Sequence, residues 1–191
     1  MTRVLVALLA CALCACEKNE KTVVEPRSAP SARPSPVTSL PSTSTVPQAD
    51  QDFATKAASS GLAEMEASRA ISEKTTSDGV REFAQQMVQD HGRANQKLID
   101  LAAAKQIQLP TGAVGPHADA VTRLSGAMGA DSDRLYVQDF GIQAHKEAIE
   151  LFERQAREGT DAELKAFAES QLSTLKTHLD HAQKLTESLP Q

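Results

Sequence analysis

Tryptophan is absent from the 191 residues, and aromatic side chains make up 3% of them. A core must therefore be assembled from Ala, Leu, Ile, Val and Met with five Phe. Clustered basic residues are also lacking: 20 Lys and Arg stand against 25 Asp and Glu, for a net charge of −5. Phosphate backbones are held by grouped Lys and Arg, so nucleic acid is excluded as a partner. Alternating runs of Val, Ile and Thr and Asn-Gly hairpin turns are missing, which removes the usual signals for strands. No apolar run reaches the ~20 residues that a bilayer-spanning helix needs. Gly-x-Ser-x-Gly and Gly-rich phosphate loops are absent, so nucleophilic and nucleotide chemistry have no support.

Cysteine is confined to Cys11, Cys14 and Cys16. They lie in or just after an apolar run, Val4 to Leu13, that follows Arg3. One cation and a run of roughly 10 apolar residues form the pattern of a secretory signal peptide. Leu13-Cys14-Ala15-Cys16 matches a bacterial lipoprotein cleavage box, and polar Glu17-Lys18-Asn19-Glu20 follows at once. Residues 1–16 are thus read as a lipoprotein-type signal with lipidation at Cys16, and Cys11 as the alternative site. The protein is expected to be exported, held by its lipid at the periplasmic side of the envelope, with the outer membrane preferred. No cysteine would survive in the mature domain, which excludes a structural disulfide or thiolate ligands there.

Six of the nine prolines precede residue 50, and all nine glycines follow residue 60. Residues 17–49, with Ser42-Thr43-Ser44-Thr45, have no apolar periodicity and read as a disordered tether. From residue 50 to 191 the pattern is helical. Four long helices are predicted: Gln51 to Lys74, Asp78 to Gln106, Ser132 to Glu158 and Asp161 to Leu189. Ser77 is a cap, Asp131 begins the third helix and Gly159 ends it. Thr160 and Glu163 form a capping box for the fourth. Between the second and third helices lie about 25 residues, with a short helical stretch from His117 to Leu124. That length lets the chain cross back over the bundle.

At 100° per residue each helix carries an ionisable group inside its apolar stripe. On helix 1, Glu64 follows Phe53, Ala57 and Ser60. On helix 2, His91 sits among Val80, Ala84, Met87 and Leu98. On helix 3, His145 lies between Leu135 or Ile142 and Ile149 or Phe152. On helix 4, His178 lies between Phe167 or Leu175 and Ala182. At ~1.5 Å per residue, and with a crossover, the four fall at roughly 15, 20, 21 and 15 Å below the first turn. Without the crossover the spread of about 6 Å doubles.

A buried carboxylate costs several kcal/mol unless paired or metal-bound. Neither Lys nor Arg shares any of the four stripes. Glu64, His91, His145 and His178 are therefore a candidate set for a transition metal, Zn, Cu, Fe or Mn. Asp90, at the edge of the helix 2 stripe, is a candidate outer partner orienting a histidine. The competing reading is a metal-free structural or interaction module with a buried His/Glu hydrogen-bond network. Gly61, Gly92 and Gly141 lie near these residues and suggest close approach. A di-iron pattern needs Glu-x-x-His on two helices, whereas residues 88 and 175 are Val and Leu. No catalytic motif is supported.

Several motifs resemble a bacterial envelope family, domain of unknown function 4142. They are Phe53-Ala54, Gly61-Leu62-Ala63-Glu64, Phe83-Ala84-Gln85-Gln86-Met87-Val88 before Asp90-His91, and Leu109-Pro110. They continue with Asp133, Tyr136, His145, Ala148 to Phe152, Leu164-Lys165-Ala166-Phe167-Ala168, Leu175 and His178-Leu179. The resemblance covers about residues 51 to 187. It implies a ferritin-like four-helix bundle in an exported or outer-membrane protein, and no reaction.

Overall fold

The computed structural model describes residues 44–189. The proposed signal, Cys16 and most of the tether lie outside the described residues. No strand occurs among the described residues, and the fold is all-α. The helices are α1 (Gln48–Lys74), α2 (Asp78–Ala104), α3 (Pro116–Gly126), α4 (Gly129–Tyr136), α5 (Ala144–Glu158) and α6 (Ala162–Ser188). A π-helical segment, Val137–Gln143, joins α4 to α5, so these form one long rod. With α1, α2 and α6 it makes a helical bundle of four long rods. No described helix is long and apolar enough to cross a membrane.

The residues 44–49, read as the end of the tether, belong to this folded part. Ser44 Oγ donates to Lys105 O (2.7 Å), and Val46 is buried. Pro47 precedes the first turn of α1, where a missing N–H costs nothing. Ser77 caps α2 by accepting from Val80 N, as its position predicts. Gly159 ends α5. Two expected caps differ. Met128, not Asp131, precedes the first turn of α4, so the third rod starts three residues earlier than expected. Asp161, not Thr160, caps α6 by accepting from Leu164 N (3.0 Å). The Thr160 hydroxyl donates instead to Asp50 (2.7 Å).

Contacts between chain ends define the path. Lys105, at the foot of α2, pairs with Asp161 at the start of α6 (2.7 Å), so these two rods run antiparallel. The α2–α3 connection lies against α1. Val114 N donates to Ser59 Oγ (3.1 Å), and Lys74 Nζ donates to Leu124 O (2.7 Å) and Ala127 O (2.9 Å). The chain thus returns to the upper end of α1 before α4 descends. As a result α2 and α5 run in the same direction, and residues deep in both can meet at one height.

The apolar core is cut in two. An upper cluster includes Ile71, Val80, Phe83, Met87, Leu124, Tyr136 and Leu185. A lower cluster includes Phe53, Leu98, Ala102, Phe152, Leu164 and Phe167. Phe53, Phe152 and Phe167 close the lower half with ring centroids 5.1 to 6.4 Å apart, Phe53 meeting the other two edge to face. On α2, α6 and the rod ending in α5, the residue between the two clusters is a histidine: His91, His178 and His145.

Asp50 fastens the lower end. It is 1% exposed and accepts from Gln155 Nε2, Thr160 N and Oγ1, and Asp161 N. Burial pushes its carboxyl up, but hydrogen bonds from Thr160, Gln155 and Asp161 outweigh this and hold it below 3.8. Hydrogen bonds to a charged group are worth about 1.5–3 kcal/mol each and are not additive. Asp50→Ala should therefore cost about 2–4 kcal/mol in urea unfolding at pH 7. Because the folded pKa is depressed, the stabilisation is complete above the carboxylate range and falls as pH drops below 3.8. The two proteins should converge in stability there; a difference unchanged down to the acid limit would contradict this account.

Candidate metal centre

The three histidines meet at mid-height. His145 and His178 are fully buried and His91 is 8% exposed. Their ring centroids form a near-equilateral triangle with sides of 5.2, 5.4 and 5.5 Å. One ring nitrogen from each lies within 4.8 Å of the other two. No other group of three or more His, Cys, Asp or Glu side chains is placed to hold an ion among the described residues.

The outward-facing partners decide where the protons sit. His145 Nδ1 is 2.8 Å from Phe140 O. A carbonyl only accepts, so this nitrogen carries the proton and Nε2 is left with a lone pair. His178 Nε2 is 2.8 Å from the Asp90 carboxylate. It therefore donates, and Nδ1 is left with a lone pair. Those two unprotonated nitrogens, His145 Nε2 and His178 Nδ1, face each other at 3.2 Å. Burial pushes the His145 pKa down to about 4, and lowers that of His178 despite Asp90, so both rings are neutral at pH 7. Two facing lone pairs repel unless a cation lies between them. Two imidazoles on a tetrahedral metal, each about 2.0–2.1 Å away, have nitrogens about 3.3 Å apart. The spacing fits that separation.

The Phe140 carbonyl is available because of the π-helical segment. There the Ala144 N–H bonds to Asp139 O, five residues back, instead of to Phe140 O. The extra residue also turns the buried face. Above it, Tyr136, Val137 and Phe140 point inward; below it, Ile142, His145, Ala148 and Phe152 do. Leu135, Ile149 and Ala156, placed on one stripe by a uniform 100° step, are only half-buried.

Glu64 sits beside the triangle, next to His91. Its Oε2 is 2.9 Å from His91 Nε2. Neither atom has a hydrogen bond of proper alignment, despite that distance. Ser60 Oγ donates to Oε1 (2.9 Å). Burial alone raises the Glu64 pKa, but the His91 charge overcomes this and brings the carboxyl down to about 2. Burial likewise lowers His91, and the Glu64 charge outweighs it, leaving this ring raised. Asp90 lies on the far side, bridging His178 and Arg93. Below Tyr136, its hydroxyl meets Ser68 Oγ (2.7 Å), and Ser68 Oγ also bonds Glu64 O (2.5 Å). Phe140 O and Ser60 carry no functional assignment in the sequence reading. Ser60 has a sequence signal, four residues before Glu64, whereas the carbonyl has none.

A cavity of about 30 Å³ opens on this centre, with Glu64, Asp90, His91 and His178 in its wall. Of the three glycines expected to allow close approach, two do so. A Cβ at Gly141 would lie 2.7 Å from Ala182 Cβ, and one at Gly61 would strike the Asn95 amide. Gly92 has only a methionine methyl, at 3.8 Å.

The family model described as a domain of unknown function, DUF4142, matches residues 35–185. No curated protein matches the chain. A solved structure similar to it is that of a DUF305 fragment from Deinococcus radiodurans, at 12% identity and a TM-score of 0.66. The match covers 75% of this chain and 99% of that one, and it speaks for the fold alone.

Gly141→Ala should destabilise the protein by about 1–3 kcal/mol, since the clash is with a rigid Cβ on the helix that carries His178. Gly92→Ala should be neutral or stabilise by up to about 1 kcal/mol through helix propensity. Chemical denaturation of the two variants, with the opposite order, would refute this packing.

Proposed function

The chain belongs to the family called domain of unknown function 4142, whose description assigns no reaction, and we propose a function from its own geometry: His91, His145 and His178 bind one transition-metal ion. The observation that carries this reading is the pair of unprotonated nitrogens, His145 Nε2 and His178 Nδ1, held face to face by Phe140 O and Asp90. Outer acceptors that fix the tautomer and aim the free lone pair inward are the usual support of metal-binding imidazoles. Glu64 fits as a fourth ligand or as the carboxylate partner of His91. Its unaligned Oε2 and the unaligned His91 Nε2 leave both atoms free to reorganise around an ion. An all-nitrogen and oxygen donor set suits Zn, Cu, Fe or Mn. The role would be metal binding, storage or protection against metal stress.

The ferritin-like bundle and the envelope location are part of the same proposal. The ferritin-like reading is supported by the crossover and the paired antiparallel rods. The location is supported by Arg3, the apolar run and the box before Cys16, which would tether the bundle by lipid to the periplasmic face of the outer membrane. A second reading is favoured by the Glu64–His91 pair, which compensates charge without a metal. In that case the histidines serve only to set helix register.

Protein purified without a histidine tag and loaded with Zn(II) or Cu(II) should hold one equivalent by elemental analysis. His91→Ala and His145→Ala should each lose stoichiometric binding. Asp90→Asn should weaken it about 10–100-fold by releasing His178. No bound metal under any loading condition would leave the metal-free network standing. For the anchor, palmitate labelling and membrane fractionation should be lost in Cys16→Ser and retained in Cys11→Ser. The reverse pattern would move the lipid to Cys11.

A further inference from the structure

The cavity beside the histidines is not symmetric about them. His91, His178, Glu64 and Asp90 line it, whereas His145 does not. The half-buried residues of the cavity wall are Asp90, Ala94 and Asn95 on α2, Gln171 and Thr174 on α6, and Leu151 on α5, so its accessible side lies toward α2 and α6. The inner wall is apolar, formed by Leu98, Phe152, Phe167 and Leu175, and Asn95, Gln171 and Thr174 add polar groups. Asn95 lies over Gly61, in the space a Cβ there would take. Its Nδ2 has only a long contact to Met65 Sδ (3.4 Å), which leaves a donor for something better. A water needs about 10–15 Å³ of such space. The cavity, at about 30 Å³, holds one or two waters or one linear small molecule.

Structural metal sites are closed by four protein ligands, whereas reactive ones keep three and an open position. We propose that the centre is of the open kind: the cavity between α2 and α6 delivers one small exogenous ligand to the metal, water at rest and a small anion in its place. This rests on the metal reading above. The small volume and apolar wall favour a ligand of a few atoms. The polar groups contributed by Asn95, Gln171 and Thr174 can hydrogen-bond the outer end of the ligand.

The test uses the full chain loaded with Co(II) and titrated with sodium azide, read by visible absorption. Co(II) should give the intense bands of a four-coordinate ion, and azide should shift them saturably. Ala94→Leu, which places a larger side chain in the cavity wall at a position that is not a ligand, should keep the Co(II) bands and weaken the azide response at least tenfold. Ala94→Val serves the same purpose where the larger side chain disturbs folding. Co(II) bands insensitive to azide, or filled variants that respond like the unmodified protein, overturn the open position and leave the metal reading intact. No Co(II) bands at all overturn both.

Discussion

Two imidazole lone pairs held 3.2 Å apart in the middle of an apolar bundle are the constraint on which the rest of this structure turns. Neither ring can relieve the contact by rotating. His145 is fastened to Phe140 O and His178 to Asp90, and leaving either outer acceptor would orphan a buried polar group. Protonation would relieve it, but burial opposes a charge on both rings. Under the proposed metal reading, a cation from solution would relieve it without either cost.

The polar layer is expensive, and the fold is organised around containing it. Glu64 at 1% exposure would cost several kcal/mol if isolated. His91 lies 2.9 Å from it, Ser60 donates a hydrogen bond, and Ser68 with Tyr136 continue the network upward. Apolar clusters pack above and below it. The crossover is what makes the arrangement attainable. By bringing the start of α4 to the top, it lets α2 and α5 descend together and places His91 level with His145.

The π-helical segment is the least regular feature and one of the most consequential. One extra residue in the turn redirects the Ala144 N–H, leaves Phe140 O for His145, and swings the lower half of the rod into register with the core. Gly141, within that segment, lets the rod approach α6 so closely that no Cβ fits. The segment thus sets both the orientation of one histidine and its distance from the next.

Much of the candidate site was legible from helical periodicity. Glu64, His91, His145 and His178 lie on stripes whose 3.6-residue repeat dictates burial once a bundle forms, and all four are buried. Asp90 was placed at a stripe edge, but that it reaches His178 on α6 as well as Arg93 on its own helix depends on which rods are neighbours. The Thr160 cap failed because Asp50, more than a hundred residues away, takes the hydroxyl. The π-helical segment escaped notice because a uniform step of 100° has no term for one inserted residue.

Chain composition and local periodicity alone determined the helical class, the inward faces and which side chains the core had to accommodate, because these follow from the geometry of a single helix. Which residue Glu64 and Asp90 each meet, and which ring nitrogens face one another, were decided only by tertiary structure. Those properties depend on atoms from different rods approaching within a few ångströms, and no repeat within one rod encodes that distance.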